Sequence, residues 1–525
     1  MTAQSPGNIA ATAETERQGQ VLAFLDGSNF GAAHGGRRID THASMVFLGR
    51  DRVLKIKRAV RLPFLDYSTL EKRKAACEEE LKVNAGNAPE LYRRVVAITR
   101  NAGGAFEIGG DGEPVEWAVE MTRFDEEQAL DRVAASGTIG PSLAFAVADA
   151  ILRSHDNAPP ADGVSWIASI PPIIARNTAK FRKVRGLDAA AVDRLDAASR
   201  DSATTLRPLL GKRAEQGFVR RCHGDLHLAN IALVDGRPRL FDAIEFDAVI
   251  ATTDILYDLA FTLMDLVHFN QGVAANAVLN RYLAGASDDN LDGLRLLPSF
   301  LSVRAAIRAH VLFVKSEHAG GDAAVWQEAK RYFDLAGRLI MPKPPLLVAV
   351  GGLSGVGKSV LARGLAGLME PPPGAVIVRS DVVRKRLFGV SDTTVLPEQA
   401  YQADASKRVY DMLLDAAQRV LAQGFSVVLD AAYLKETERT EVGGLARRQG
   451  ARFVGLFLTS DLATRLSRIE QRKGDVSDAT RDVALMQETY AVGTVDWHLV
   501  DASGTPEQSL RNARAAIDPA EPGEG

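Results

Sequence analysis

The chain has 525 residues, of which 46% are hydrophobic and 25% charged, with a net charge of −3. That is the balance of a globular protein too long for one core, so two or three domains are expected. The near-neutral charge supplies no basic field for nucleic acid, and the two cysteines, Cys77 and Cys222, lack the CxxC spacing of a thiolate metal site.

The first twenty residues are small and polar and read as disordered (1–20). They carry neither the basic nor the apolar region of a secretory signal. Read for apolar runs, the chain has none of the ~18 residues a membrane span needs; the longest, Ile255 to Phe269, is broken by Asp258 and Asp265. A cytoplasmic location without a membrane partner is expected.

From Ser44 the pattern turns β-prone. SMVFLG and RVLKIK form two short runs around Gly49-Arg50-Asp51, and strand alternation puts Lys55 and Lys57 on one face. LEKRKAACEEELKVN, from Leu70 to Asn84, reads as a helix carrying Glu78, Glu79 and Glu80. Two further β-like runs, VVAIT and VEWAVEM, precede an Ala-rich helical stretch from Gly140 to Gln216. More helices run to about Ile340, and the Pro-containing stretch 341–345 reads as a linker between a domain at 21–340 and one at 346–518, with a disordered tail at 519–525.

Within the first domain, Cys222 to Phe246 reads CHGDLHLANIALVDGRPRLFDAIEF. Asp225 stands five residues before Asn230, and Asp242 follows twelve residues later, after two β-prone runs. A carboxylate, a carboxamide and a second carboxylate are what phosphoryl transfer asks for: one group at the acceptor hydroxyl, two on Mg²⁺ at the ATP phosphates. On these residues the first domain resembles the aminoglycoside phosphotransferase-like kinases, a protein-kinase-like group. It departs from protein kinases proper in lacking Asp-Phe-Gly after the loop. The resemblance implies a two-lobed α+β fold, with Asp225 as catalytic base and Asn230 and Asp242 as metal ligands. It also implies a strand lysine on the phosphates and a helix Glu paired with it. Lys55 matches that strand best, with Lys57 the alternative; Glu80 is chosen over Glu78 and Glu79. Asp258 resembles the structural Asp behind the catalytic loop, and Glu245 is a further carboxylate for the metal or its waters.

The second domain opens on the apolar run LLVAV, then Gly351-Gly352-Leu353-Ser354-Gly355-Val356-Gly357-Lys358-Ser359, then a helical pattern. This is G-x-x-x-x-G-K-S between a strand and a helix. The glycines let backbone N–H groups curl round phosphate, Lys358 reaches the β/γ-phosphates, and the Ser359 hydroxyl ligates Mg²⁺. Four more strand patterns alternate with helices, at 375–380, 426–430, 453–458 and 497–501, which predicts an α/β doubly wound parallel sheet. Ligands gather at the carboxyl ends of such strands, where Asp381 meets an acceptor hydroxyl with Arg384 beside it for an anionic group, and where Asp430 ends its strand. Arg465, Arg468 and Arg472 recur along one helix face as a lid, with Arg468 and Arg472 the catalytic pair. With RSDVVRKRL and VVLDAAYL, this half resembles the small P-loop kinases related to gluconate kinase, chloramphenicol phosphotransferase and zeta toxins.

Together the two halves resemble a bacterial fusion of these families. The expectation is a bifunctional ATP-dependent phosphotransferase with two MgATP sites acting on small hydroxylated acceptors. The alternatives are one kinase regulated by a nucleotide-sensing P-loop domain, and a P-loop domain that phosphorylates nucleic-acid ends, which the acidic balance disfavours.

Overall fold

The computed structural model describes residues 6–32, 35–62, 65–318, 321–471 and 476–517. It divides into two compact units. The first comprises Met1–Ile139, Asp149–Ile173 and Arg207–Asp265; the second comprises Gly140–Ala148, Ile174–Leu206 and Leu266–Gly525.

The first unit holds a six-stranded antiparallel sheet in the order Arg37–Asp40, Ser44–Leu48, Arg52–Lys57, Glu113–Thr122, Tyr92–Arg100, Phe106–Ile108. The alternation of Arg52–Lys57 sorts its side chains onto two faces. Leu54 and Ile56 enter one cluster with Val21, Leu25 and Phe47; Val53 enters another with Cys77 and Val119. The sheet is therefore covered on both faces. One cover is the helix Leu70–Ala85, capped by the Thr69 hydroxyl, which accepts from the Lys72 N–H at 3.3 Å. Its buried residues, Arg73, Cys77, Glu80 and Asn84, fall on one stripe at helical spacing.

The other cover corrects the expectation of disorder from residue 6 to residue 20; residues 1–5 lie outside the described residues. Residues Pro6–Asp26 form a helix. The Gln18 carboxamide donates to the Lys57 carbonyl and to Glu116, each at 2.8 Å, and Glu14 accepts from Arg73 at 3.1 Å. Among the described side chains of this helix, Gln18, Val21 and Leu25 are buried.

The stretch Cys222 to Phe246 follows the strand Val219–Arg221, which pairs antiparallel with Thr252–Asp254. A second hairpin, Ile231–Val234 with Arg237–Leu240, turns at Asp235-Gly236, both at positive φ (50° and 72°), as a two-residue turn of that hand requires.

The second unit holds five parallel strands in the order Val376–Arg379, Val427–Asp430, Leu346–Gly352, Arg452–Thr459, His498–Asp501, with helices over the faces. Val348, Val350, Leu361, Leu365, Val428 and Leu456 share its core. The stretch 341–345 lies inside this unit, because the helices Gly272–Gly285, Leu297–His318 and Ala323–Ile340 pack as part of it. The tail expected at 519–525 lies outside the described residues.

The reading for membrane spans overlooked one segment. Among the described residues, Asp288–His318 is long and apolar enough to cross a membrane by length and composition, though 61% of its apolar window is buried within the protein. Ser302 in it donates to the Ala336 carbonyl at 2.9 Å, tying it to the helix Ala323–Ile340.

Candidate functional site

In the first unit a chain of alternating charges crosses the sheet-to-loop boundary. Lys55 Nζ donates to Glu80 Oε1 at 2.7 Å and pairs with Asp242. Lys57 Nζ lies 2.6 Å from Glu80 Oε2 and pairs with Glu245, which also accepts from the Tyr67 hydroxyl at 3.0 Å. Both lysines thus share Glu80, and each takes a different carboxylate from the FDAIEF segment. Burial alone lowers the Lys55 pKa; Asp242 and Glu80 outweigh that and hold it well above the ordinary lysine value. Burial likewise works against the Asp242 and Glu80 charges, yet the lysines keep both below the usual carboxylate range.

The backbone around Asp242 is tied down. Asp242 itself sits at φ 61°, its N–H donates to the Tyr92 hydroxyl at 3.0 Å, and the Ala243 N–H donates to Asn84 Oδ1 at 2.8 Å. Sequence reasoning missed Tyr92 and Asn84. Asn84 carried a signal, since it extends the buried stripe of Glu80; Tyr92 carried none.

The loop before it is fixed from beneath. His223 is buried and its Nε2 donates to the Phe241 carbonyl at 2.9 Å; the burial lowers its pKa. Asp258 Oδ1 accepts from the Gly224 N–H at 2.9 Å, and Asp265 Oδ2 from the Leu228 N–H at 3.1 Å. Asn230 Nδ2 donates to the Asp225 carbonyl at 2.9 Å, which turns its Oδ1 away from that carbonyl. Asp225 Oδ2 stands 3.5 Å from His227 Nε2. Asp225, Asn230, Asp242, Lys55 and Glu80 are brought together. Glu78 and Glu79 are not: Glu79 pairs with Arg221 at 2.7 Å and Glu78 with Lys74 at 3.7 Å.

In the second unit the loop after Leu346–Gly352 curls through Gly352, Gly355 and Gly357 at positive φ (131°, 83° and 104°). A side chain at Gly355 would stand 2.6 Å from the Arg465 carbonyl, so only glycine passes there. The helix Lys358–Ala366 begins at once, and Lys358 Nζ donates to the Leu353 carbonyl at 3.1 Å. Arg379 ends the edge strand; it donates from Nη2 to the Ser359 hydroxyl at 2.9 Å and from Nε to Asp430 Oδ2 at 3.1 Å. This arginine was quoted in the sequence motif without a role.

The P-loop, Asp381, Arg384, Asp430 and Arg468 line a single cavity of about 1010 Å³. Asp381 is held above the ordinary carboxylate range, first by burial and then by the neighbouring Asp430. Arg384 is buried, with its guanidinium 4.8 Å from the Tyr401 ring and its Nε without a hydrogen-bond partner. Arg468 donates to the Val356 carbonyl at 3.2 Å and the Gly504 carbonyl at 2.9 Å, so it reaches the P-loop from the helix Leu462–Glu470. Arg465 is buried instead, bonded to the Ser354 carbonyl at 3.3 Å and to Glu488. Arg472 lies outside the described residues.

A kinase-like lobe built on a lysine–glutamate pair, and a parallel sheet with a P-loop, define two nucleotide-binding kinase folds in one chain. Comparison with known families agrees. Residues 90–297 match the phosphotransferase enzyme family and residues 347–491 an AAA domain family. The chain therefore carries an aminoglycoside phosphotransferase-like domain and a P-loop kinase-like domain, and it is an ATP-dependent kinase. An uncharacterised protein of Mycobacterium tuberculosis is 29% identical over 488 residues, 90% of this chain and 94% of that protein. Among solved structures, a choline/ethanolamine kinase family protein from Mesorhizobium loti is 12% identical, with TM-score 0.39, over 62% of this chain and 95% of that one. A gluconokinase from Sinorhizobium meliloti is 22% identical, with TM-score 0.25, over 34% of this chain and 94% of that one.

Proposed function

We propose that the chain is a bifunctional phosphotransferase that moves the ATP γ-phosphate to small hydroxylated acceptors at two separate sites. The observation that carries this reading is that each unit has its own phosphate-binding lysine near its own carboxylates: Lys55 with Asp242 in one, Lys358 with Asp381 and Asp430 around one cavity in the other.

At the first site Lys55, held in place by Glu80, meets the phosphates. Asp225 accepts the acceptor hydroxyl proton as the new O–P bond forms and the bond to ADP breaks. Asn230 and Asp242 offer only oxygen to a metal, and the Asn230 amide is oriented with its Nδ2 spent on the Asp225 carbonyl, so the pair fits a hard cation such as Mg²⁺. Mg²⁺ bound there would neutralise phosphate charge.

At the second site the P-loop amides and Lys358 bind phosphate, and Ser359 is the metal-side hydroxyl. The Arg379 guanidinium on Ser359 and Asp430 supports that assignment, since a cation already sits well between those oxygens. Asp381 is the base, Arg468 and Arg472 stabilise charge in the transition state, and Arg384 receives an anionic group of the acceptor. Sugars, nucleosides, amino alcohols and aminoglycosides make the first acceptor panel for both sites.

Calorimetric titration of non-hydrolysable ATP into the full chain tests the two-site reading. Wild type should bind two nucleotides, and Lys55→Ala and Lys358→Ala should each lose one. Each lost charge-assisted contact should weaken its own site by about 1.5–3 kcal/mol. A single site in the wild type, or loss of both sites on one substitution, would overturn it. Two intact sites with transfer only from the first would make the P-loop domain a nucleotide sensor.

A further inference from the structure

The strand Val376–Arg379 is the edge of the parallel sheet, and an edge strand leaves a row of N–H and C=O groups without a neighbouring strand. Here the helix Gly272–Gly285 covers it within the same unit. Asn280 Nδ2 donates to the Ala375 carbonyl at 3.1 Å, and Asn280 Oδ1 accepts from the Ile377 N–H at 2.7 Å. A residue of a parallel neighbour strand bonds in that way, taking the carbonyl and the N–H that flank one residue, here Val376. One carboxamide therefore substitutes for a sixth strand. Asn276, one turn earlier on the same helix face, is buried and donates to the Pro373 and Ala375 carbonyls, both at 2.9 Å.

The seat extends past the asparagines. Arg386 reaches Asp288 at 2.9 Å, and Arg419 grips Asp292 at 3.0 and 3.1 Å. All of these helix-side groups precede the Pro-containing stretch in sequence. Two residues beyond Ile377 the strand ends in Arg379, which bonds Ser359 and Asp430, and Asp381 follows. The carboxamide of Asn280 thus fixes the strand whose end carries the polar groups of the P-loop site.

Building on the P-loop kinase reading, we propose that Asn280, supported by Asn276, is a positioning residue for phosphoryl transfer at the P-loop site, and that the helix Gly272–Gly285 is part of that kinase's working fold. Asn280 touches no substrate. It holds the register of Val376–Arg379, so its loss lets Arg379 drift from Ser359 and Asp430 while the P-loop, anchored on a central strand, keeps its grip on ATP.

The test uses the full chain carrying Asp225→Ala, with MgATP turnover and hydrogen exchange across 376–381 as parallel readouts. Asn280→Leu keeps the volume and removes the hydrogen bonds. It should lower kcat about tenfold, leave the KM for ATP within about twofold, and speed exchange at Ile377 to Arg379. Asn280→Asp keeps the acceptor for the Ile377 N–H and should fall between Asn280→Leu and the parent on both readouts. Asp292→Ala releases Arg419 without touching the strand, and should lower the unfolding temperature with kcat and strand exchange unchanged. If Asn280→Leu does not fold, Asn280→Asp against Asp292→Ala decides. Unchanged turnover and exchange in the Asn280 variants would overturn the proposal, as would an equal kcat loss in Asp292→Ala. Lys358→Ala in the same background separates the two ideas: turnover that survives it sinks the P-loop reading itself, while the exchange data still judge Asn280.

Discussion

Lys55 Nζ stands 2.7 Å from Glu80 Oε1, and the other oxygen of the same carboxylate stands 2.6 Å from Lys57 Nζ. Glu80 is fully buried, so one charge compensates two ammonium groups in a medium where neither is well solvated. The carboxylates of Asp242 and Glu245 complete the balance from the opposite side. The lobe that carries the lysines and the loop that carries Asp242 are thus held in register by charge, within one unit.

Glu80→Ala should therefore be costly out of proportion to its size. It leaves two buried lysines short of a partner, a loss of about 3–5 kcal/mol. Lys57→Met should cost less, since Glu80 keeps Lys55. Urea unfolding of the full chain measures both; equal losses would show that Lys57 is as essential to the balance as Glu80. The pH dependence follows from the same groups. Glu80 and Asp242 titrate below their ordinary values, so the stability they contribute is present above about pH 4 and is lost as pH falls through their folded values.

Asp381 has the opposite sign. Its folded pKa is raised above the ordinary ~3.9, so the neutral form is the one the fold prefers. Its contribution to stability is full below about pH 3.9 and is lost as pH rises through the folded value. At neutral pH the charged carboxylate therefore costs stability. Asp381→Asn should raise the unfolding temperature at pH 7 while abolishing transfer at the P-loop site. In the wild type the acid limb of kcat/KM at that site, which reports the free enzyme, should lie at higher pH than an unperturbed aspartate gives. A lower unfolding temperature in the variant would mean that Lys358 and Arg379 outweigh burial and Asp430.

Much of this arrangement was legible in the sequence, and what was not has physical causes. The P-loop and HGDLHLAN set their polar and glycine residues close together in the chain, and the five strands of the parallel sheet were read from local apolar runs. Strand alternation put Lys55 and Lys57 on one face but could not separate them, because the groups that do so, Asp242 and Glu245, lie far along the chain. The helix Pro6–Asp26 was invisible because it is fixed by polar contacts of Gln18 and Glu14 as much as by Val21 and Leu25. The proline stretch at 341–345 marks a break in local pattern, whereas the compact unit runs back across it, and the bonds of Asn276 and Asn280 to the edge strand join residues about a hundred positions apart.

Arg468 reaches the P-loop from its own helix, donating to the Val356 carbonyl there and to the Gly504 carbonyl beyond the last strand. A guanidinium so placed can turn toward charge that develops on the transferred phosphoryl group. Arg468→Ala should lower kcat at the P-loop site more than it raises the KM for ATP, because a contact made mainly in the transition state is felt in kcat. Steady-state kinetics in an Asp225→Ala background read this. A change confined to KM would make Arg468 a ground-state ATP contact.

The last expectation separates the two aspartates of the first site. Asp225 lies beside Asn230, its carboxylate 3.4 Å from Asn230 Nδ2 and 3.5 Å from His227 Nε2. Asp242 is paired with Lys55 and held by Tyr92 through its own N–H. A base acts on the acceptor, so Asp225→Ala should lower transfer by about 10²–10⁴-fold and leave MgATP affinity nearly unchanged. Asp242→Ala removes a metal-side oxygen and unbalances Lys55, so it should weaken nucleotide binding in the presence of Mg²⁺ and do so less in its absence. Titration with and without Mg²⁺, in a Lys358→Ala background that silences the other site, distinguishes the two. If Asp225→Ala weakens binding while Asp242→Ala does not, the roles are exchanged and Asp225, not Asp242, joins Asn230 on the metal side of the site.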